Sequence, residues 1–302
     1  MAEGKSYKMA ENPPPPISWE EYEAYLLREW PALLNSNQQK EEKVFQDFLE
    51  RHPCLLPESY SQFQRGAHGP RAYVIYSQPE LPGFRKKIPD FMYVSADSGA
   101  LFVMLIEIEA PAKRWATKDG NPTADFTQAH QQLRQWKAWF SKPANVLQFR
   151  ELYGIDDDAL WGRQFKQKYV LIYGRRAELR ANEAFAVTRE NLASNDEILM
   201  TFDRLAPSTK LDDCVTVRLG RGGANTYLDV KHVPPTFRLG PDFAAHHVRL
   251  TNRENAIREN PLITDERKRF LIGRLPYWDN WVKQPREKKW RLEDAISGRD
   301  CE

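Results

Sequence analysis

The sequence predicts an α/β sandwich, and three observations carry that expectation. Three strand-like runs follow one another between residues 72 and 109, separated by turn chemistry. A long amphipathic helical pattern follows directly, over residues 122–140. A further apolar strand, Tyr169-Val170-Leu171-Ile172-Tyr173, comes after that helix. A meander joined by a helical crossover to another strand makes a sheet that helices must cover. The chain has 302 residues, 28% charged and 41% hydrophobic, as an ordinary globular protein does. No apolar run approaches the roughly 20 residues of a membrane span, so no membrane association is expected. The opening residues hold no apolar signal-like segment, and a cytoplasmic location is expected. Cys54, Cys214 and Cys301 are far apart in sequence, which predicts reduced thiols rather than a disulfide or zinc framework.

The elements are expected in this order. Residues 1–16 are polar and end in Pro13 to Pro16, an extended lead-in. Ser18 and Glu21 form a capping box for a helix over 18–34, with Trp19, Tyr22, Tyr25, Leu26, Trp30 and Leu33 as its apolar face. Val44, Phe45, Phe48 and Leu49 mark a second helix over 38–51, stopped by Pro53. Strands are expected at 72–77, at 85–94 after Pro82-Gly83, and at 101–109 after Asp97-Ser98-Gly99, the last two as a hairpin. Asn121 and Pro122 predict the start of the long helix, with Phe126, Ala129, Leu133, Trp136 and Phe140 buried. A strand at 168–173, helices at 178–186 and 189–195, and a strand at 198–201 complete the core. The expected divisions are an N-terminal extension over 1–37, a core over 38–210 and a C-terminal extension over 211–302. That extension carries a helix over 265–275 and an aromatic segment with Tyr277, Trp278 and Trp281, a candidate interface or a cap on the core.

Chemistry concentrates on one strand. Leu101-Phe102-Val103-Met104-Leu105-Ile106 leads into Glu107-Ile108-Glu109, and the preceding strand holds one acid, Asp90. Side chains alternate along a strand, so Glu107 and Glu109 share a face about 7 Å apart. Like charges on an apolar strand are unfavourable without a positive partner, and a hard divalent cation bound by oxygens is the simplest. With Asp90 on the neighbouring strand, three carboxylates would face one point, the outline of a metal-dependent hydrolase. Net charge is only +2, so any nucleic-acid partner must be met by local clusters: Arg85-Lys86-Lys87, then Lys113, Arg114 and Lys118, then Arg175, Arg176 and Arg180. His130, Arg134 and Lys137 share one face of the long helix, suited either to phosphate or to solvent.

The ordered set of motifs resembles a known family. Pro89-Asp90, then Glu107-x-Glu109, then a Gln-bearing helix, resembles the PD-(D/E)XK nuclease superfamily. Phe45-Gln46-x-Phe48-Leu49-Glu50-x-His52-Pro53, Ile106-Glu107-Ile108-Glu109-Ala110-Pro111, Thr117-Lys118-Asp119-Gly120, Ala129-His130-Gln131-Gln132 with Trp136, and Thr201-Phe202-Asp203-x-Leu205 resemble the Shedu nuclease domain over roughly residues 40–210. The resemblance implies a restriction-endonuclease-like three-layer sandwich, with a mixed central sheet flanked by helices. It also implies a Mg²⁺-dependent (or Mn²⁺-dependent) DNA endonuclease of anti-phage defence, working as a homo-oligomer (dimer or tetramer) and answering to a phage-derived trigger.

The resemblance implies that Asp90 and Glu107 bind metal, with Glu109 where the superfamily usually has lysine. Glu109 would be a further ligand or the general base, and Lys113, or next Lys118, would replace the missing lysine. Gln132 matches the glutamine on the helix after the catalytic strands. Glu42 or Glu50 matches a supporting helical glutamate, with Glu42 preferred as a metal ligand. Two other readings compete. A nuclease fold that has lost its chemistry would bind nucleic acid without cutting. A two-carboxylate glycosidase fits the acid pair but not its basic surroundings.

Overall fold

The acids of the 101–109 segment emerge from the middle of an eight-stranded sheet. In this computed structural model the described residues are 8–64, 69–83, 88–181, 183–222, 225–240, 243, 249–283 and 302. Three helices come first: α1 (Trp19–Leu34), α2 (Glu42–Arg51) and α3 (Ser59–Phe63). Strands β1 (Val74–Ser77), β2 (Phe91–Ala96) and β3 (Ala100–Ile108) follow, then α4 (Ala124–Phe140), α5 (Pro143–Leu152) and α6 (Asp157–Leu160). After β4 (Gln164–Ile172) come α7 (Arg176–Ala181), α8 (Glu183–Leu192) and β5 (Glu197–Met200). The chain continues through β6 (Val215–Gly222), β7 (Asn225–His232), β8 (Arg249–Thr251), α9 (Arg253–Glu259) and α10 (Asp265–Lys283).

The strand order is β5-β4-β3-β2-β1-β6-β7-β8. The sheet is mixed: β1–β2, β2–β3 and β6–β7 are antiparallel, whereas β3–β4, β4–β5, β1–β6 and β7–β8 are parallel. Helices cover both faces. On one face Leu101, Val103 and Leu105 of β3 join Phe126, Leu133 and Trp136 of α4 and Leu271 and Trp278 of α10. On the other, Met104, Ile106 and Ile108 pack with Tyr22, Leu26 and Trp30 of α1 and Phe45 and Leu49 of α2. Every residue of β3 is buried. That is why its sequence is a continuous apolar run rather than an alternating one.

Differences from expectation lie mostly at element ends. The capping box of α1 forms, with Ser18 Oγ accepting from Glu21 N and Glu21 returning to the Ser18 N–H. Helix α2 starts at Glu42 rather than 38, because residues 37–40 close a turn that precedes it. Ala72 and Tyr73 adopt left-handed φ of 55° and 54°, so β1 begins only at Val74. The 85–94 strand begins at Phe91, and Arg85, Lys86 and Lys87 lie outside the described residues. Thr123, not Asn121, caps α4: its Oγ1 accepts from Phe126 N, while Pro122 bridges back to Ala116. One continuous helix, α8, stands where a break was expected near residue 186.

Residues past 210, expected as an extension, supply β6, β7 and β8 to the same sheet, with Val74, Ile75 and Tyr76 of β1 paired to Val215, Thr216 and Val217. The aromatic segment continues α10, and Trp278 and Trp281 are buried against the core rather than offered as an interface. None of the described helices is long and apolar enough to cross a membrane.

Candidate functional site

The β2–β3 hairpin brings the predicted acids together. Phe91 pairs with Ile106, so Asp90 stands opposite Glu107 one step along the register. Asp90 N donates to Ile106 O at 3.0 Å, and its carboxylate accepts from Ile108 N at 2.9 Å. The side chains of Asp90 and Glu107 hydrogen-bond each other. Glu109 lies just past the strand, its N–H still donating to Ile172 O of β4 at 3.0 Å. Glu42, in the first turn of α2, hydrogen-bonds Glu109. The backbone ties this end of α2 down, because Ala112 N donates to Gln39 O at 3.0 Å. Lys113 pairs with the Glu109 carboxylate, and Gln132 of α4 donates through Nε2 to Glu107 Oε1. All six predicted site residues, Glu42, Asp90, Glu107, Glu109, Lys113 and Gln132, therefore belong to one connected cluster.

The cluster has an excess of acid. Burial, with Glu42 and Glu109 nearby, pushes Asp90 up to about 8 against the favourable Ile108 N–H. Burial and the neighbouring Glu109 push Glu42 up to about 7, although Lys113 opposes them. Partial burial disfavours the Lys113 charge, but the Glu109 partner outweighs it and raises the amine's pKa overall. Carboxyl groups that hydrogen-bond each other do so through shared protons. As placed, the acids pair with one another, and among the described residues no three His, Cys, Asp or Glu side chains stand where they could jointly hold a metal ion. The donor chemistry still suits a hard divalent cation: four carboxylates crowd together with one lysine between them. Such an ion would take the place of the shared protons and open the Glu42–Glu109 and Asp90–Glu107 contacts.

This arrangement predicts a pH dependence. Folded Asp90 and Glu42 keep protons, up to about pH 8 and pH 7 respectively, that the unfolded chain releases near pH 4. The unfolded state thus binds fewer protons, and stability falls as pH rises through this range. Buried neutral His52, lowered from 6.5 to about 3 chiefly by desolvation, acts in the opposite sense but only below pH 6.5. Between pH 6.5 and 8, metal-free protein should lose on the order of 1–2 kcal/mol. Added Mg²⁺ should raise the melting temperature more at pH 8 than at pH 6.5. A melting temperature in EDTA that stays level or climbs over that window would refute the shared-proton arrangement.

Two supports hold the cluster. His130 Nε2 meets Glu197 Oε2 at 3.1 Å, and Lys137 Nζ meets Glu197 Oε1 at 2.7 Å and Asp196 at 2.6 Å, pinning α4 to β5. Burial alone would raise Glu197, but His130, Lys137 and the Ser194 N–H hold it down at about 2. His130 and Lys137 are thus internal ties, on neither the phosphate-binding face nor the solvated face that helical spacing left open. Arg134 remains exposed. The second support fixes the loop bearing Lys113. Glu178 accepts from Trp115 N and Ala116 N at 3.1 and 3.2 Å, and the Trp115 ring packs on Phe126 and Tyr173.

Of the basic residues expected around the acids, Arg175 is held by Asp203 at 2.9 Å and Arg114 approaches Glu178 at 3.7 Å. Lys118 is exposed on its loop. Glu50, the alternative helical glutamate, points to a different partner set: Ser77, Arg218 at 2.8 Å and His232 at 4.0 Å. Sequence reasoning passed over Gln46 and Arg218. The available signal was a polar residue at every fourth position of α2, on a helix face that the flanking Phe45, Phe48 and Leu49 mark as buried.

Comparison with curated proteins gives no match. The family model for the C-terminal part of the Shedu protein SduA matches residues 39–206, which runs from the entry to α2 to just past β5 and takes in the whole acid cluster. With more than half of its length matched by that model, the chain belongs to the Shedu family.

Proposed function

We propose that this protein is a Mg²⁺- or Mn²⁺-dependent endodeoxyribonuclease of anti-phage defence, built on a restriction-endonuclease-like core. The observation that carries the reading is Asp90 set opposite Glu107 at the end of a buried hairpin, with Gln132 bonded to Glu107, Lys113 paired with Glu109, and Glu42 and Glu109 near enough to raise the Asp90 pKa. Asp90, Glu107, Glu109 and Glu42 would hold the cation. A bound divalent ion would supply charge for the phosphoryl oxygens and acidify water.

The chain's own groups do the rest. Gln132 fixes the Glu107 carboxylate through its amide, so the acid keeps one orientation. Glu109, once Glu42 no longer occupies it, is placed either to bind the ion or to accept a proton from the attacking water. Lys113, already on Glu109, would supply from four residues on the positive charge that lysine provides at the position of Glu109 in most of the superfamily. A dimer or tetramer would bring two such sites to the two strands of a duplex. Residues outside the matched segment would restrain the activity until a phage-derived trigger released it.

The test is incubation of purified protein with linear and supercoiled DNA in Mg²⁺, Mn²⁺ or EDTA. Cleavage that needs the metal supports the reading. Glu109, standing where the superfamily usually has lysine, favours a second reading, a nuclease fold that binds DNA without cutting it. Tight binding with no cleavage in either metal, with DNA ends or infected-cell extract present, would select that second reading.

A further inference from the structure

The strands do not end level on the edge of the sheet that carries the acids. Gln78, just past β1, donates its N–H to Asp90 O at 2.7 Å, so Gln78 and Asp90 stand at one height. β6 runs parallel to β1, with Val74, Ile75 and Tyr76 paired to Val215, Thr216 and Val217. The same register carries Ser77 to Arg218 and Gln78 to Leu219. β6 then continues through Gly220, Arg221 and Gly222. Beside these lies β7: Gly220 pairs with Tyr227, Arg221 with Thr226 and Gly222 with Asn225. β8 pairs with β7 only over Tyr227, Leu228 and Asp229 among the described residues. A two-stranded arm therefore projects about 10 Å beyond the height of Asp90. Only β1 separates β2 from β6, so the arm stands about 10 Å to the side of Asp90.

Arg221 lies on the acids' face of the sheet. Along β6, Val215 and Val217 join the core under α4 and α10, and Arg221 keeps their phase. Along the hairpin, Met92, Val94, Val103 and Leu105 join the same core, and Asp90 and Glu107 keep theirs. The Arg221 side chain is 57% exposed, and its ionic partner Glu80 is 40% exposed. An exposed pair of this kind holds weakly. From Cys214 to Leu228 the sequence has two arginines and no acid, and glycine stands on both sides of Arg221. On the opposite face the Tyr227 ring lies across Gly220 and stiffens the ribbon. Positive charge without bulky neighbours can come close to a phosphate backbone. A two-stranded ribbon is also narrow enough to enter a major groove.

We propose that the β6–β7 arm is one wall of a duplex DNA channel, and that Arg221 takes a backbone phosphate of the duplex held over Asp90 and Glu107. The two offsets put the Arg221 backbone about 12 Å from that of Asp90, within a few nucleotides at about 3.4 Å of rise each. Glu80 holds the guanidinium ready and yields it to the phosphate. This rests on the nuclease reading and adds the means by which the duplex is aligned on the acids. It also gives a role to β6 and β7, which lie beyond the segment matched by the family model.

The test is binding of a fluorescent DNA duplex in Ca²⁺, which suppresses cleavage, by wild type, Arg221→Gln and Glu80→Gln, with a thermal melt of each. Arg221→Gln should weaken binding by about tenfold and lower the slope of log K against log salt by about one. Glu80→Gln should tighten binding about threefold, because the phosphate no longer competes with a carboxylate. Both melting temperatures should stay within about 2 °C of wild type, since the pair is exposed. Tighter binding after the loss of an ion pair cannot come from misfolding. Wild-type affinity and salt slope in Arg221→Gln, or weaker binding in Glu80→Gln, overturns the arm's role. If that Arg221→Gln protein also sediments as a smaller species, the arm is instead a contact between copies of the chain. Wild type that neither binds nor cuts DNA sinks the nuclease reading and the arm together. Wild type that cuts beside an unaffected Arg221→Gln sinks the arm alone.

Discussion

Replacing Glu107 with glutamine is expected to lower metal-dependent DNA cleavage by at least about a thousandfold, with a melting temperature unchanged or higher. Glu107 is 7% exposed at the end of a fully buried strand, facing Asp90 across the hairpin. The amide has the same shape and keeps a carbonyl oxygen for Gln132 Nε2, so packing is retained. What goes is the negative charge, the property a divalent cation binds. In metal-free protein that charge is a liability beside Asp90, whose carboxyl is already pushed up to about 8 by burial and neighbouring acids. Activity and stability should therefore move apart, as they do where a site holds unfavourable charge for a purpose. Single-turnover cleavage and thermal melts on the same preparation check this. Cleavage within about tenfold of wild type would remove Glu107 from the chemistry.

Gly174→Ala is expected to cost roughly 2–4 kcal/mol and to impair the site from outside it. Gly174 follows β4 with φ of +57°, a conformation that an L side chain rarely adopts. A Cβ there would meet Trp115 Nε1 at 2.5 Å, Trp115 Cδ1 at 2.8 Å and the Lys113 carbonyl at 2.9 Å. None of these can yield cheaply. Trp115 is fully buried among Phe126, Tyr173 and Phe185, under the Arg189 guanidinium. The Lys113 carbonyl belongs to the loop that delivers its amine to Glu109. The chain must shift there, and the melting temperature should fall by about 5–10 °C. Cleavage should fall with it at temperatures where the variant is still folded. An unchanged melting temperature would show that the contact relaxes without consequence, and that the loop does not depend on it.

The residues explain which features were legible in sequence. Asp90, Glu107 and Glu109 stood out because charges at the end of an apolar run are rare for a physical reason, and hairpin register follows from alternation. Gln132 and Glu42 came through the order of motifs, and the structure brings both to the cluster. His130 and Lys137 were misread because helical spacing shows that residues share a face but not what stands opposite it. Glu197, their partner, lies about 60 residues further along the chain. Trp278 and Trp281 could equally have been surface or core until α10 was seen packed on the sheet. Strands β6 to β8 were missed because Arg218, Gly220, Arg221 and Lys231 dilute the apolar signal over this stretch. Their pairing is a matter of which edge they reach.

By itself the sequence determined what short-range chemistry controls: the capping box at Ser18, the apolar strands, the turns between them, the acids on one strand and the family to which their order points. The tertiary structure alone decided what depends on contacts far apart in the chain. It determined that Glu42 of α2 comes up against Glu109 and Asp90 against Glu107, and that the residues past 210 join the sheet beside β1. It also decided that Glu50 turns to Ser77 and Arg218 rather than to the acid cluster. Side-chain periodicity is local, whereas burial, pairing and proton sharing depend on which distant residues meet.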